Sequence, residues 1–408
     1  MGKGLKKALI FLLLPILLIG GYVYFTYSSQ LNPVSPTINT SAMATIRTTS
    51  HISWPTAGQS AVGVLGSSII NTHNPQKPVP TASTAKMITA LMVLKAKPLS
   101  VGSQGPLITL TVNDANIYNS YVAEQGSVVK VVPDEKLSEY QMLEAMLLPS
   151  ANNMADSLAI WAFGSLPAYS AAANSYLNQV GLKTTHVGPD ASGFIPTTVS
   201  TAHDLVIIGE LVMSNPILAQ VVSQLSVTNF PVVNTIKNVN YLIGTDNIVG
   251  IKTGNTDQAG GVYVGAAKTS VGGQPVTVIT ANVGAPTLGI AVSGSLPLLQ
   301  SAESNFQALT LVKKDTLVGT YNLPWGGSTP IVASSDLVAF AWGGSSVSID
   351  PPRLDAITYP AVANQTIGAI GSKSSGLTRP QFINVVLKQS INKPTLLWRL
   401  LHPKLVNY

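Results

Sequence analysis

The sequence predicts an α+β body, preceded by an N-terminal transmembrane helix and followed by a small all-β domain. Three observations predict it. An uncharged apolar run covers Ala8 to Phe25. Between Ser83 and Leu311, segments with helical spacing of apolar residues alternate with β-branched runs between glycines. Beyond Val312, short strand-like pieces alternate with Gly, Pro and Ser turns.

As a helix, the first run would span about 27 Å, close to the hydrocarbon thickness of a bilayer. Lys3, Lys6 and Lys7 precede it, which keeps the N-terminus cytoplasmic and sends the rest outside. Pro15 is tolerable in a membrane helix. A cleaved signal peptide is the alternative. The run is long for one, and Tyr22, Tyr24 and Tyr27 crowd its outer end where small residues would be needed. The Ala42-Met43-Ala44 triplet lies far beyond it. The expectation is an uncleaved anchor over residues 1–27, single-pass in the plasma membrane, with the body extracytoplasmic. Residues 28–52, rich in Ser, Thr, Asn and Pro, read as a stalk.

The body is expected over residues 53–311. Gln59 to Ile70 fits one or two strands. From Ser83 to about Lys95, Met87, Ile88, Leu91, Met92 and Leu94 recur at helical spacing. Ser138 to Gln141 is a capping box opening a helix. Further helices are expected over Asn153–Phe163, Tyr169–Val180 and Ser200–Met213. Strands follow at 248–253, 261–267 and 276–281, then a helix over 291–311.

The β domain is expected over residues 312–390. The tail, 391–408, holds Leu396, Leu397, Trp398, Leu400 and Leu401 among Lys393, Arg399 and Lys404. It reads either as a basic amphipathic piece on an anionic membrane surface or as a terminal helix packed on its own domain.

Composition narrows the chemistry. Hydrophobic residues are 46% of the 408 and charged residues 10%, enough for a large core and too little charge for a disordered chain. Net charge is +6, but no Lys/Arg run interleaves with aromatics, which argues against nucleic acid. With no cysteine, disulfides, thiolate metal sites and cysteine nucleophiles are excluded. No two of the five histidines have His-x-x-x-His spacing, so no metal site is expected.

Three short motifs carry the candidate chemistry. Ser83-Thr84-Ala85-Lys86 opens a helix, Ser150-Ala151-Asn152 lies between two helices, and Lys252-Thr253-Gly254 ends a strand. Each alone is weak. At i and i+3 on a helix, Ser83 and Lys86 can touch. A serine hydroxyl needs a neighbour to take its proton, and a lysine with a lowered pKa can do so. Lys252 is expected to supply a second cation that lowers it. Ser150 can relay a proton to a leaving amine, and the Asn152 amide can orient Lys86 and a substrate amide. Lys252 and Thr253 on a strand edge can hold a carboxylate, and Gly254 permits close approach.

This set resembles that of the penicillin-binding proteins and serine β-lactamases. More closely, the chain resembles the low-molecular-mass D-alanyl-D-alanine carboxypeptidases. The matching stretches include 82–87, 148–153, Asp190-Ala191-Ser192-Gly193, 200–205 and 250–256, with Gly284-Ala285-Pro286 beyond, across about residues 55 to 310. The resemblance implies a transpeptidase/β-lactamase-like domain, with an antiparallel sheet flanked by helices and the site in a cleft. It implies Ser83 as acylated nucleophile, Lys86 as base, and Ser150 and Asn152 as relay and positioning groups. Lys252, Thr253, Gly254 and Asn255 would bind substrate, and the backbone N–H groups of Ser83 and Asn255 would form the oxyanion hole. No cofactor is implied. The partners implied are a peptidoglycan stem peptide ending in D-Ala-D-Ala and β-lactams as covalent inhibitors, with the membrane held through the N-terminal helix; a monomer is expected.

The chain departs from the family pattern twice. Asn255 stands where histidine is common, and no Lys or Arg occurs between Lys268 and Lys313, where an arginine often meets the substrate carboxylate. That leaves a D,D-endopeptidase open beside the carboxypeptidase. A β-lactamase is a further alternative, although Glu210 is the only glutamate between Asn152 and Lys252. A β-lactam sensor or wall-binding scaffold is the non-enzymatic one.

Overall fold

The computed structural model describes residues 3–40, 45–67, 69–271, 273–374 and 381–403. The Ala42-Met43-Ala44 triplet and residues 404–408 of the tail lie outside them.

Helix α1 runs from Lys3 to Ser28 around Pro15. From Leu12 onward its large apolar side chains are exposed. Among the described residues no single helix is long and apolar enough to cross a membrane, and Leu12–Ser28 is a shorter apolar helix.

The body is a mixed α/β fold built on a five-stranded sheet. Its strands run in the order Ile248–Thr256, Gly260–Val271, Gln274–Ala285, Gln59–Val64 and Ile70–His73, each antiparallel to its neighbours. Both faces are covered. Along Gln59–Val64, Ala61 joins one core while Val62 and Val64 join another, the period-two alternation of a strand. The first core holds helices α2 (Lys86–Ala96), α4 (Glu139–Leu147), α5 (Asn152–Phe163), α7 (Ala202–Ser214) and α8 (Pro216–Val222). The second packs α9 (Leu288–Ser304) on the opposite face. Helix α6 (Leu166–Gln179) flanks α5.

Local sequence explains the boundaries. Ser138 Oγ accepts from Gln141 N at 3.1 Å and Gln141 Oε1 accepts from Ser138 N at 2.9 Å, closing the box that starts α4. Helix α3 (Val112–Ala123) uses the same device with Thr111 and Asp114. It escapes the sequence reading because Tyr121 alone among its residues is buried, so it carries no apolar stripe. Strands Gly260–Val271 and Gln274–Ala285 are longer than expected. Their ends project past the helical cover, and Lys268 to Val271 are partly or fully exposed.

The helix expected over 291–311 ends at Ser304 instead. Asn305 caps it, and Phe306–Val312 becomes a strand paired with Leu337–Trp342. The expected division at residues 311 and 312 therefore falls inside a strand. Trp342, fully buried, donates from Nε1 to Ala302 O at 2.8 Å and ties this hairpin to α9.

The C-terminal sheet has seven strands. Five come from residues 317–387, with Val318, Tyr321, Ile331, Ile349, Ile370 and Val385 among its core. The other two come from the expected stalk. Thr37–Ile38 pairs with Leu317–Asn322, and Ile46–Arg47 pairs with Ser346–Leu354, at opposite edges. Residues 28–52 are thus not simply a spacer. The tail forms α10 (Leu396–Leu401), which packs against α1. Arg399 is buried and donates to Ser29 O and, at 2.7 Å, to Tyr27 O. Trp398 stacks on His402 and meets Trp325 edge-on.

Candidate active site

The chain enters α2 through a 3-10 turn, Ala82–Ala85, where a continuous α-helix from Ser83 was expected. A 3-10 turn has three residues per turn, so side chains at i and i+3 eclipse. Lys86 accordingly stands over Ser83, with Nζ 2.8 Å from Oγ. Two features shape the turn. Ala82 has φ 46°, a conformation costly for a residue with a Cβ and characteristic of functional sites. Thr84 Oγ1 donates to Thr81 O at 2.8 Å.

Lys86 is fully buried, and its three donor positions are all used. Besides Ser83 it reaches Asn152 Oδ1 at 2.7 Å and Ser192 O at 3.1 Å. Burial pulls its pKa down to about 7, and Asp190 and Asp156 pull it partly back up. At neutral pH a substantial fraction is therefore unprotonated and can accept the Ser83 proton. Lys252 is also fully buried, and its pKa lies well below an ordinary lysine's, first through burial and then through Lys86. Burial is the first cause of the lowered Lys86 pKa, and the repulsion between the two buried amines is mutual, disfavouring a charge on both at once.

Asn152 opens α5, and its N–H donates to Ser127 O at 2.7 Å. The next residue, Asn153, clamps the same loop by exchanging bonds with Val129 N and O at 3.1 and 2.9 Å. Ser150, between α4 and α5, is buried with φ 68°. Its hydroxyl has no hydrogen-bond partner among the described residues; the chain places it two residues before Asn152.

The strand Ile248–Thr256 lies at the edge of the five-stranded sheet, against the 3-10 turn. A Cβ on Gly254 would stand 3.0 Å from both Ser83 N and Thr81 O, so glycine permits this approach. Thr253 is buried and Asn255 exposed. Lys252 Nζ donates to Thr253 O at 3.1 Å.

A buried acid network that the sequence reading did not assign supports Lys86. Asp156 Oδ2 accepts from Tyr121 OH at 2.7 Å, and Oδ1 from Ala191 N at 2.8 Å. Asp190 Oδ2 accepts from Ser192 Oγ at 2.6 Å and from Phe194 N at 2.9 Å. Together they hold the loop whose Ser192 carbonyl meets Lys86. Burial raises the Asp156 pKa to about 6. One signal was available: Asp156 follows Asn152 by four residues, on the same face of an apolar helix.

An antiparallel sheet flanked by helices, with Ser83 against its edge strand and the buried Lys86 behind it, describes the class of fold. The chain superposes on penicillin binding protein 5 from Haemophilus influenzae with a TM-score of 0.57. That match covers 83% of this chain and 98% of the other at 22% identity, so it speaks for the fold. Residues 57–287, more than half the chain, match the family described as D-alanyl-D-alanine carboxypeptidase, and the chain belongs to that family. Among its relatives, D-alanyl-D-alanine carboxypeptidase DacA of Escherichia coli is 30% identical over 46% of each chain. DacB2 of Mycobacterium tuberculosis is 32% identical over 46% of this chain and 62% of its own. The chain spans about half the length of the first of these relatives.

Proposed function

We propose that the protein is a serine-type D-alanyl-D-alanine carboxypeptidase that trims peptidoglycan stem peptides through an acyl-enzyme on Ser83. The observation that carries this reading is the contact of 2.8 Å between Ser83 Oγ and the dehydrated Lys86 amine. Unprotonated Lys86 accepts the hydroxyl proton as Oγ attacks the carbonyl of the penultimate D-alanine. Negative charge develops on the carbonyl oxygen, where the N–H groups of Ser83 and Asn255 receive it. The proton passes through Ser150 to the departing D-alanine amine, and Asn152 holds Lys86 and the substrate amide in line. Lys252 and Thr253 take the substrate carboxylate. Water then attacks the ester, with Lys86 again as base. A β-lactam meets the same attack, but its leaving nitrogen stays tethered and deacylation is slow.

In this reading α1 holds the protein in the plasma membrane as a single-pass monomer, with the body outside. The body binds the stem peptide and no nucleic acid. A D,D-endopeptidase is the second reading. It is favoured by the absence of Lys and Arg between Lys268 and Lys313, which leaves Lys252 to meet a terminal carboxylate.

The test uses the full chain in detergent with a fluorescent penicillin and diacetyl-Lys-D-Ala-D-Ala. The expected outcome is a covalent adduct on Ser83 together with D-alanine release, both abolished in Ser83→Ala. Lys86→Ala should fold and lose acylation by roughly a thousand-fold. An adduct without D-alanine release, with cleavage of a cross-linked dimer, selects the endopeptidase. No adduct at all would sink both readings.

A further inference from the structure

The acid network behind Lys86 has fewer protons than contacts. Four oxygens stand in line: Asp156 Oδ2, Tyr121 OH, Ser192 Oγ and Asp190 Oδ2, at successive distances of 2.7, 3.3 and 2.6 Å. A hydroxyl carries one proton and donates one hydrogen bond. Tyr121 commits its proton to Asp156, and Ser192 commits its own to Asp190. None remains for the contact between the two hydroxyls, and that contact is the longest of the three. Two ionised carboxylates produce this pattern. A proton on either carboxyl group would supply a third donor and close the middle contact to ordinary O–H···O length.

Both carboxylates act on Lys86, pulling its pKa up against burial. When Lys86 takes the Ser83 proton it becomes a buried ammonium, which is costly unless an opposite charge faces it. Asp156 is buried too, so it stays ionised only if donors meet it. Ala191 N is one, and Tyr121 OH is the one side-chain donor among the described residues. Four titratable groups face Asp156: Lys86 from α2, Tyr121 from α3, Tyr169 from α6 and Asp190 from its loop. Of these, Lys86 and Tyr121 favour the carboxylate and Asp190 opposes it. The Tyr169 hydroxyl is engaged with Thr89 instead. Burial, then Asp156, keeps the Tyr121 hydroxyl protonated.

We propose that Tyr121 is a positioning residue for the base: its hydroxyl holds Asp156 as a carboxylate, and that carboxylate stabilises the ammonium formed when Lys86 takes the Ser83 proton. This rests on Lys86 as the base of the carboxypeptidase reading. The proton moves from Ser83 Oγ to Lys86 Nζ as Oγ bonds to the carbonyl carbon, and none moves to Asp156 or Tyr121. Without the hydroxyl, Asp156 takes up a proton at higher pH, and Lys86 loses a charge that supports its ammonium.

The test follows Lys86 in the full chain in detergent by two readouts from pH 5 to 9. One is the NMR signal of 13Cε-labelled lysine that is missing in Lys86→Ala, which needs no turnover. The other is the rate of penicillin acylation. Tyr121→Phe removes the hydroxyl and keeps the ring, which meets Phe194 edge-on at 5.6 Å. The Lys86 midpoint should fall by about one pH unit, the size of effect expected on losing a nearby opposite charge. The high-pH plateau of acylation should fall with it, because the base is weaker. The double variant Tyr121→Phe/Asp156→Asn should match Asp156→Asn alone, since the effect runs through Asp156. Phe194→Leu loosens the ring and leaves the hydroxyl, so its midpoint should stay at the wild-type value. A Tyr121→Phe midpoint at or above the wild type, a further fall in the double variant, or an equal fall in Phe194→Leu overturns the proposal. The expected NMR shifts, with no acylation of the wild type, would keep the link from Tyr121 to the Lys86 charge and remove the acyl-enzyme reading instead.

Discussion

Gly193 packs on the backbone of Ala82 so closely that a Cβ at Gly193 would lie 2.2 Å from the Ala82 carbonyl oxygen and 2.6 Å from the Ala85 Cβ. Gly193 itself has φ +72°. The glycine thus braces the turn that carries Ser83, from the loop that supplies the Ser192 carbonyl to Lys86. Gly193→Ala should destabilise the protein by about 2 kcal/mol or more, from backbone strain and overpacking together. It should also slow penicillin acylation, because the Ala82–Ala85 turn must move. Urea denaturation and acylation rates check both. A variant with wild-type stability and rate would mean that the turn does not need this brace.

The acidity of Lys86 sets a pH dependence. The base is the unprotonated amine, and its pKa is lowered to about 7. Acylation should therefore rise with pH through about 7 and be strongly reduced at pH 5. Asp156→Asn removes a carboxylate that pulls the Lys86 pKa up, so the midpoint should move to lower pH. Rates of penicillin acylation from pH 5 to 9 measure both. A midpoint moving upward in Asp156→Asn would contradict this electrostatic account.

Trp342 joins the hairpin after α9 to α9 itself through the bond from its indole N–H to Ala302 O. Trp342→Phe removes that donor and leaves Ala302 O with only the longer bond from Asn305 N at 3.3 Å, at a cost of about 0.5–1.5 kcal/mol. The urea midpoint should fall accordingly, while penicillin acylation below the transition stays at the wild-type rate. An unshifted midpoint would show that this contact adds nothing to stability.

Arg399 fastens α10 to the end of α1 by donating to Tyr27 O and Ser29 O. Arg399→Ala should release both segments. Faster amide hydrogen exchange is expected in residues 396–402, with penicillin acylation unaffected. Unchanged exchange there would mean that α10 is held by its aromatic contacts, Trp398 with Trp325 and His402.

The parts of the fold that were legible in the sequence are those with strong local periodicity or caps. The helix carrying Lys86, the Ser138 box and the strand carrying Lys252 all belong to this group. The 3-10 geometry at Ser83 was not legible, because an α-helix and a 3-10 turn share the same short apolar spacing. The end of α9 was missed because apolar residues continue past Asn305 into a strand. The two stalk strands have two residues each, too few to show any period. Their partners lie about 300 residues away, a relation that no local pattern encodes. Tyr121 and Asp156 were missed for a related reason. A lone acid in an apolar helix reveals its role only when its partners from other elements are known.

The edge pairings of Thr37–Ile38 and Ile46–Arg47 impose an order on biosynthesis. The chain leaves α1, contributes both short strands, builds the whole body, and only then produces residues 317–354, which those strands need. While the body is being made on the ribosome, Thr37–Ile38 and Ile46–Arg47 have no partner strands to join. They can join the sheet's edges only once Leu317–Asn322 and Ser346–Leu354 have been made. Both edges of this sheet thus join residues made just after α1 to residues made only after the whole body.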